Sequence, residues 1–144
     1  MSLLDGSSLI KIKLYYKNTD VGNGKRLDIL SDKKAEELLK DEEKAKEIEV
    51  LETEWSMLTW KEQNEVMEVS TQAGQIQDAE KKFNFLAYRD AIIKRCLKKW
   101  NITINEKIVP VTSESIDKLP APIVVNLYQK FEETLEFSEE ELGN

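Results

Sequence analysis

The sequence predicts an α+β fold, mainly helical, in which helices pack with a small N-terminal antiparallel sheet. Three observations carry that expectation. Leu9 to Tyr16 alternates with a period of two, residues 78 to 100 repeat apolar positions in steps of four and three, and a second helical stripe runs from Val124 to Leu135. The first pattern belongs to a half-buried strand and the other two to amphipathic helices. With 144 residues, 40% of them hydrophobic, the chain has the length and the apolar content of one domain. That domain divides into a strand-rich part with one acidic helix (1–55), a helical part (56–137) and a frayed acidic tail (138–144).

In the first part, Ile10, Ile12, Leu14 and Tyr16 fall on one side of a strand, with Lys11, Lys13 and Tyr15 on the other. Gly22-Asn23-Gly24 accepts positive φ and predicts a turn, after which Leu27 to Leu30 returns as a short partner strand. Ser31-Asp32 supplies capping oxygens for a largely solvated helix over 32–45. From Glu47 to Trp55, Ile48 and Val50 alternate against Leu51, Thr53 and Trp55, which predicts a second main strand.

The helical part opens with Thr59-x-x-Glu62, a reciprocal capping box that starts a helix at Trp60. This helix should carry Val66, Met67, Val69 and Ala73 inward and stop at Gly74, before a linker at 75–77. The strongest segment is 78–100, where Ala79, Phe83, Leu86, Asp90, Ile93, Leu97 and Trp100 share a helix face, widened by Phe85, Ile92 and Cys96. Asp90 interrupts the stripe as a boundary carboxylate paired with Lys94 four residues on. Asn101 to Val111 reads as an irregular connection. Ser113 caps a short helix ending near Leu119, and Pro122 suits the first turn of a final helix over 121–137. Its inner stripe is Val124, Leu127, Tyr128, Phe131 and Leu135; Ser138-x-x-Glu141 is a further capping box near the terminus. The expected core includes Leu58, Val66, Phe83, Leu86, Ile93, Leu97, Leu127 and Phe131.

Composition excludes much chemistry. With no histidine and one cysteine, Cys96, there is no serine–histidine or cysteine–histidine nucleophile, zinc finger or internal disulfide. Cys96 itself lies on an apolar helix face, the place for a buried, inert thiol. Gly22-Asn23-Gly24-Lys25 lacks both the earlier glycine and the following hydroxyl residue of a phosphate-binding loop. Glu132-Glu133 and Glu140-Glu141 sit in charge runs with no apolar neighbours to shift a pKa, and no loop has the spacing of an EF-hand. The expectation is therefore a chain with no catalytic residues, no cofactor and no metal. Apolar runs such as Ile123-Val124-Val125 fall far short of the ~20 residues that cross a bilayer, and Met1 to Gly6 has neither the basic nor the apolar region of a secretory signal. Both point to the cytosol.

Charge distribution says more than the net charge of −7. Residues 36–54 hold nine acids and three bases, residues 132–141 hold six acids and no base, and residues 81–99 hold seven bases and one acid. Lys94, Arg95 and Lys98 fall on the arc opposite the apolar stripe of the long helix. Either this basic arc lies near the acidic helix or tail of the same chain or is simply solvated, or it docks a partner, because separated patches of opposite sign orient association. Trp55, Trp60 and Trp100 sit at segment ends. Core anchoring is the default for each, with Trp55 and Trp60 as candidates for an interface anchor.

The run Trp55-x-x-Leu58-Thr59-Trp60-x-Glu62-Gln63, followed by the long helix ending at Trp100-x-Ile102, Val109-Pro110-Val111-Thr112 and Ile116-Asp117-x-Leu119-Pro120, resembles small tail-morphogenesis proteins of tailed bacteriophages. These include tail assembly chaperones and the related baseplate hub proteins. The resemblance covers roughly residues 53 to 141. It implies a non-enzymatic role through protein–protein binding: holding the tape-measure protein and recruiting tube subunits, or forming part of the baseplate. It further implies other tail proteins as partners, an oligomer among the alternatives, and a place in the host cytoplasm or the virion. The rival reading is a small nucleic-acid-binding regulator using the basic face of helix 78–100. The flanking acidic segments, which repel phosphates, count against it.

Overall fold

The computed structural model of the chain describes residues 9–72 and 83–143, with side chains through residue 136. The expected stop at Gly74, the linker at 75–77, the first turn of the long helix at 78–82 and the Met1–Gly6 segment lie outside the described residues.

The alternating N-terminal segment forms β1 (Ile10–Asp20), which turns back into β2 (Lys25–Leu30). The turn closes through a 3.0 Å bond from Val21 N–H to Gly24 O, and Gly22 takes φ +91°, a conformation natural to glycine. Ser31 caps α1 (Asp32–Leu39), its side chain accepting from Lys34 N–H. The single helix expected over 32–45 is broken. Asp41 takes the backbone N–H groups of Glu43 and Lys44 and so starts a second helix, α2 (Glu42–Ala45). β3 (Glu49–Trp55) then runs antiparallel to β1, with Leu14 opposite Leu51 and Ile12 opposite Thr53.

α3 (Trp60–Gln72) and α4 (Phe85–Cys96) follow, and the chain enters β4 (Leu97–Trp100) directly from α4. β4 joins β3 to complete a four-stranded antiparallel sheet in the order β2-β1-β3-β4. This corrects the expected fold class. The domain is α+β with more helix than strand, but its sheet is a four-stranded one not confined to the N-terminal part, because it takes its fourth strand from residues read as the end of a 78–100 helix. The reason lies in a bulge. Trp55 opposes Leu97 and Glu54 opposes Lys99, which leaves Lys98 as an extra residue. Leu97 and Trp100 therefore both reach the core although they are three apart, a spacing that imitates a helix turn. α4 begins instead at Asn84, whose side chain accepts from Ala87 N–H.

Beyond β4, a hairpin of β5 (Thr103–Ile104) and β6 (Lys107–Ile108) replaces the expected irregular connection. α5 (Ser113–Asp117) is capped by Thr112, one residue earlier than expected. α6 (Ala121–Gly143) continues past Ser138.

Helices α3 to α6 cover one face of the sheet. Ile12, Leu14, Leu51, Trp55, Leu97 and Trp100 meet Val66, Ile92, Ile93, Ile116, Leu127 and Phe131 in one core. Asn101 finishes the edge of β3 with its side chain, accepting from Glu52 N–H at 3.0 Å and donating to Val50 O at 3.1 Å. The opposite face carries Lys13 beside Glu52 (3.7 Å) and Lys99 beside Glu54 (3.8 Å). Of the expected core, Val66, Ile93, Leu97, Leu127 and Phe131 are buried and Leu58 is partly buried. Phe83 and Leu86 are instead exposed, as are Met67 and Val69 on α3. Ser70 takes the inward position on α3, its hydroxyl donating to Val66 O at 2.6 Å, so a polar side chain is buried with its bond satisfied by its own helix.

Candidate protein-binding surface

The link between β3 and α3 is held at both ends. Ser56 N–H donates to Cys96 O at 2.8 Å. Thr59 N–H donates to Glu62 Oε1 at 3.0 Å, while Glu62 N–H donates to Thr59 Oγ1 at 3.2 Å, the reciprocal bonds of a capping box. Thr59 N–H is the largest influence holding the Glu62 carboxyl below its ordinary value. Met57 and Leu58 lie between these fixed points, and Trp60 directly follows Thr59. Met57 is 65% exposed and Trp60 is 80% exposed.

Beside this link lies a cleft of about 150 Å³, walled by Met57 and Leu58, by Tyr88 and Ile92 of α4, and by Glu132 and Leu135 of α6. Trp60 stands between the cleft residues Leu58 and Gln63 in the chain. Aromatic pairs continue the apolar surface along α4. Phe83 lies 5.2 Å from Tyr88, Phe85 lies 6.2 Å from Tyr128 edge-on, and the Arg89 guanidinium sits 5.8 Å from the Phe85 ring centre. Burial raises the Tyr88 and Tyr128 hydroxyls above their ordinary pKa, with Glu132 adding to both shifts. Cys96, at the floor of the cleft, is buried, and burial pushes its thiol up to about 12, so it remains protonated and unreactive at neutral pH.

Two larger hollows lie elsewhere, about 390 Å³ over Lys11, Lys13 and Lys99 and about 590 Å³ along β1 beside Asp32 and Lys130. Along their walls Lys13 pairs with Glu52, Lys99 with Glu54 and Lys130 with Asp32, Lys130 also donating to Lys13 O, while Lys11, Glu36 and Glu133 line them as well. Among the described residues, no group of three carboxylate or thiol side chains forms a candidate metal site.

The residues proposed from sequence for partner binding separate in space. Trp55 is fully buried in the core, its indole N–H donating to Thr53 Oγ1, so it presents nothing to a partner. Lys94 bridges Asp90 at 3.2 Å and Asp117 at 2.9 Å, the first being the expected i,i+4 pair. Arg95 bonds Glu65 at 2.6 Å. Lys94 and Arg95 thus meet single acidic residues of their own chain, none of them in the acidic segments 36–54 or 132–141. Lys98 is exposed on the bulge of β4, away from the helix it was assigned to. Trp60 alone of the five remains a large exposed apolar group.

Sequence reading missed Met57, Tyr88 and Glu132 as parts of one surface, since they come from three distant segments. The available signal was local: Met57 and Trp60 flank a fixed cap, a place where an apolar side chain has no helix stripe to join. No protein-family model, curated protein or solved structure matches the chain.

Proposed function

We propose that this chain is a non-enzymatic protein-binding domain acting in bacteriophage tail assembly or in the virion, where it holds tape-measure, tube or baseplate components. The single observation supporting the binding role is the pair Met57 and Trp60, large apolar side chains exposed on a capped link, with Met57 lining an apolar cleft. Apolar and aromatic groups concentrated at one exposed place favour a protein interface, with tryptophan its usual anchor. The tail setting comes from the resemblance of the Trp55–Gln63, Val109–Thr112 and Ile116–Pro120 runs. A nucleic-acid role is disfavoured, because Lys94 and Arg95 are already engaged in ion pairs.

The test is affinity isolation from phage-infected cells with the native chain and with a Met57→Asp, Trp60→Asp variant. Tail proteins recovered by the native chain and lost by the variant support the proposal. Equal recovery by both removes this surface from the function, and salt-sensitive duplex DNA binding by the native chain transfers the case to the regulator reading.

A further inference from the structure

We infer that the cleft takes an amphipathic helical segment of a partner protein, one that seats apolar side chains between α3, α4 and α6 and sets a lysine or arginine against Glu132. The inference rests on the reading of this surface as a docking site and names the chemistry of what docks. Size comes first. At about 150 Å³ the cleft is below the roughly 300–1,000 Å³ of sites that hold a small ligand or cofactor. It suits side chains projecting from a larger body. Wall geometry then selects the partner's backbone. The walls come from α3, α4, α6 and the link before α3, with no strand among them, so an extended peptide would find no strand edge to complete its backbone hydrogen bonds. A helix satisfies its own and needs only a side-chain groove.

Charge supplies the last element. Among the described residues Glu132 is the one charged side chain lining the cleft, and it is half-buried. It lines the cleft together with Tyr88 and Cys96, and its charge contributes to raising the pKa of both of those groups and of Tyr128. Among the described residues it has no salt-bridge partner. Among the described cations, Arg95 is paired with Glu65 and Arg89 lies over the Phe85 ring, while Lys98 is exposed on β4. Glu136 stands one helical turn beyond Glu132 and is exposed. A partner with acidic flanks would meet uncompensated repulsion here, and one with a cation would supply the missing counter-charge.

The test uses three stapled helical peptides of about 14 residues, near the shortest length that holds a helix in water. All carry one leucine stripe; their flanks are lysine, glutamine or glutamate. Each is titrated calorimetrically into the native full chain and into the Glu132→Lys and Met57→Asp variants. The native chain should bind the lysine peptide about 3- to 10-fold more tightly than the glutamate peptide, the range of a partly exposed ion pair gained against one repelled. Glu132→Lys should reverse the order, which no general loss of structure would do. Met57→Asp should weaken all three peptides. Equal affinity for the three, or an order unmoved by Glu132→Lys, overturns the inferred charge and leaves the docking reading standing. Binding of none by the folded native chain, or binding indifferent to Met57→Asp, overturns the docking reading as well.

Discussion

Trp55 on β3 and Phe131 on α6 stack with ring centres 4.7 Å apart and planes inclined by 22°. Both are almost wholly buried, and together they fix the last helix to the middle of the sheet. The contact also determines where Glu132 and Leu135 stand, since both follow Phe131 within about one turn of α6.

Truncating either ring should therefore be severe. Trp55→Ala and Phe131→Ala should each cost about 3 to 5 kcal/mol, the usual range for a large buried aromatic. The double variant should cost less than the sum of the two by about 0.5 to 1.5 kcal/mol, the coupling expected of an aromatic pair. Urea unfolding of the four proteins measures both quantities, and strict additivity would show that the stack contributes nothing of its own.

Thr53 is a buried polar residue with both bonding capacities used. Its hydroxyl donates to Ile12 O at 2.8 Å and accepts the Trp55 indole N–H at 2.7 Å. Thr53→Val keeps the shape and leaves the indole N–H without its acceptor, at a cost of about 1 to 3 kcal/mol. Thr53→Ser, which retains the hydroxyl, should be milder in the same denaturation experiment. A smaller loss for valine than for serine would place methyl packing above the hydrogen bonds.

The Thr59–Glu62 box makes the start of α3 sensitive to acid. Thr59 N–H and hydroxyl hold the Glu62 carboxyl below its ordinary value of 4.5. A depressed carboxylate contributes stability that is present above that value and fades as pH falls through the lower folded value. The stability difference between native chain and Glu62→Gln should then be largest near neutrality and shrink below about pH 4.5. Thr59→Ala should cost about 0.5 to 2 kcal/mol as a lost helix cap. Unfolding midpoints from neutral to acid pH check the trend, and a difference that widens in acid would contradict it.

The β5–β6 turn holds two non-glycine residues at positive φ, Asn105 at 52° and Glu106 at 67°. A two-residue loop of this kind is the type I′ hairpin turn, for which asparagine followed by glycine is favoured. Asn105 already suits its place and Glu106 does not. Glu106→Gly should raise stability by up to about 1 kcal/mol, the strain relieved less the entropy gained by the unfolded chain. A melting temperature that falls would show that the Glu106 side chain contributes more than its backbone costs.

Which parts of the chain were legible in sequence follows from how local their causes are. The β1–β2 turn and the Thr59–Glu62 cap depend on residues within three or four positions, and both form where their residues place them. β4 escaped because its bulge at Lys98 needs β3 as a partner, and without that partner Leu97 and Trp100 read as one helix face. Met67 and Val69 escaped for a related reason. Their apolar character favours burial, yet the face of α3 that meets the core is chosen by Val66 and Ser70. The basic arc was visible, but its acidic partners Glu65 and Asp117 lie 30 and 23 positions away from their respective bases, so only the fold joins them. The cleft is the extreme case, assembled from residues near 57, 88 and 132.

The central claim, that the surface around Met57 and Trp60 binds protein, is tested most directly by site-specific photo-crosslinking during phage infection. A photoreactive residue is placed at the exposed Trp60 and, in a second protein, at Lys99 on the charged face of the sheet. The account predicts adducts to a tail protein from position 60 and none above background from position 99. Adducts of equal yield from both positions, or from position 99 alone, would contradict it.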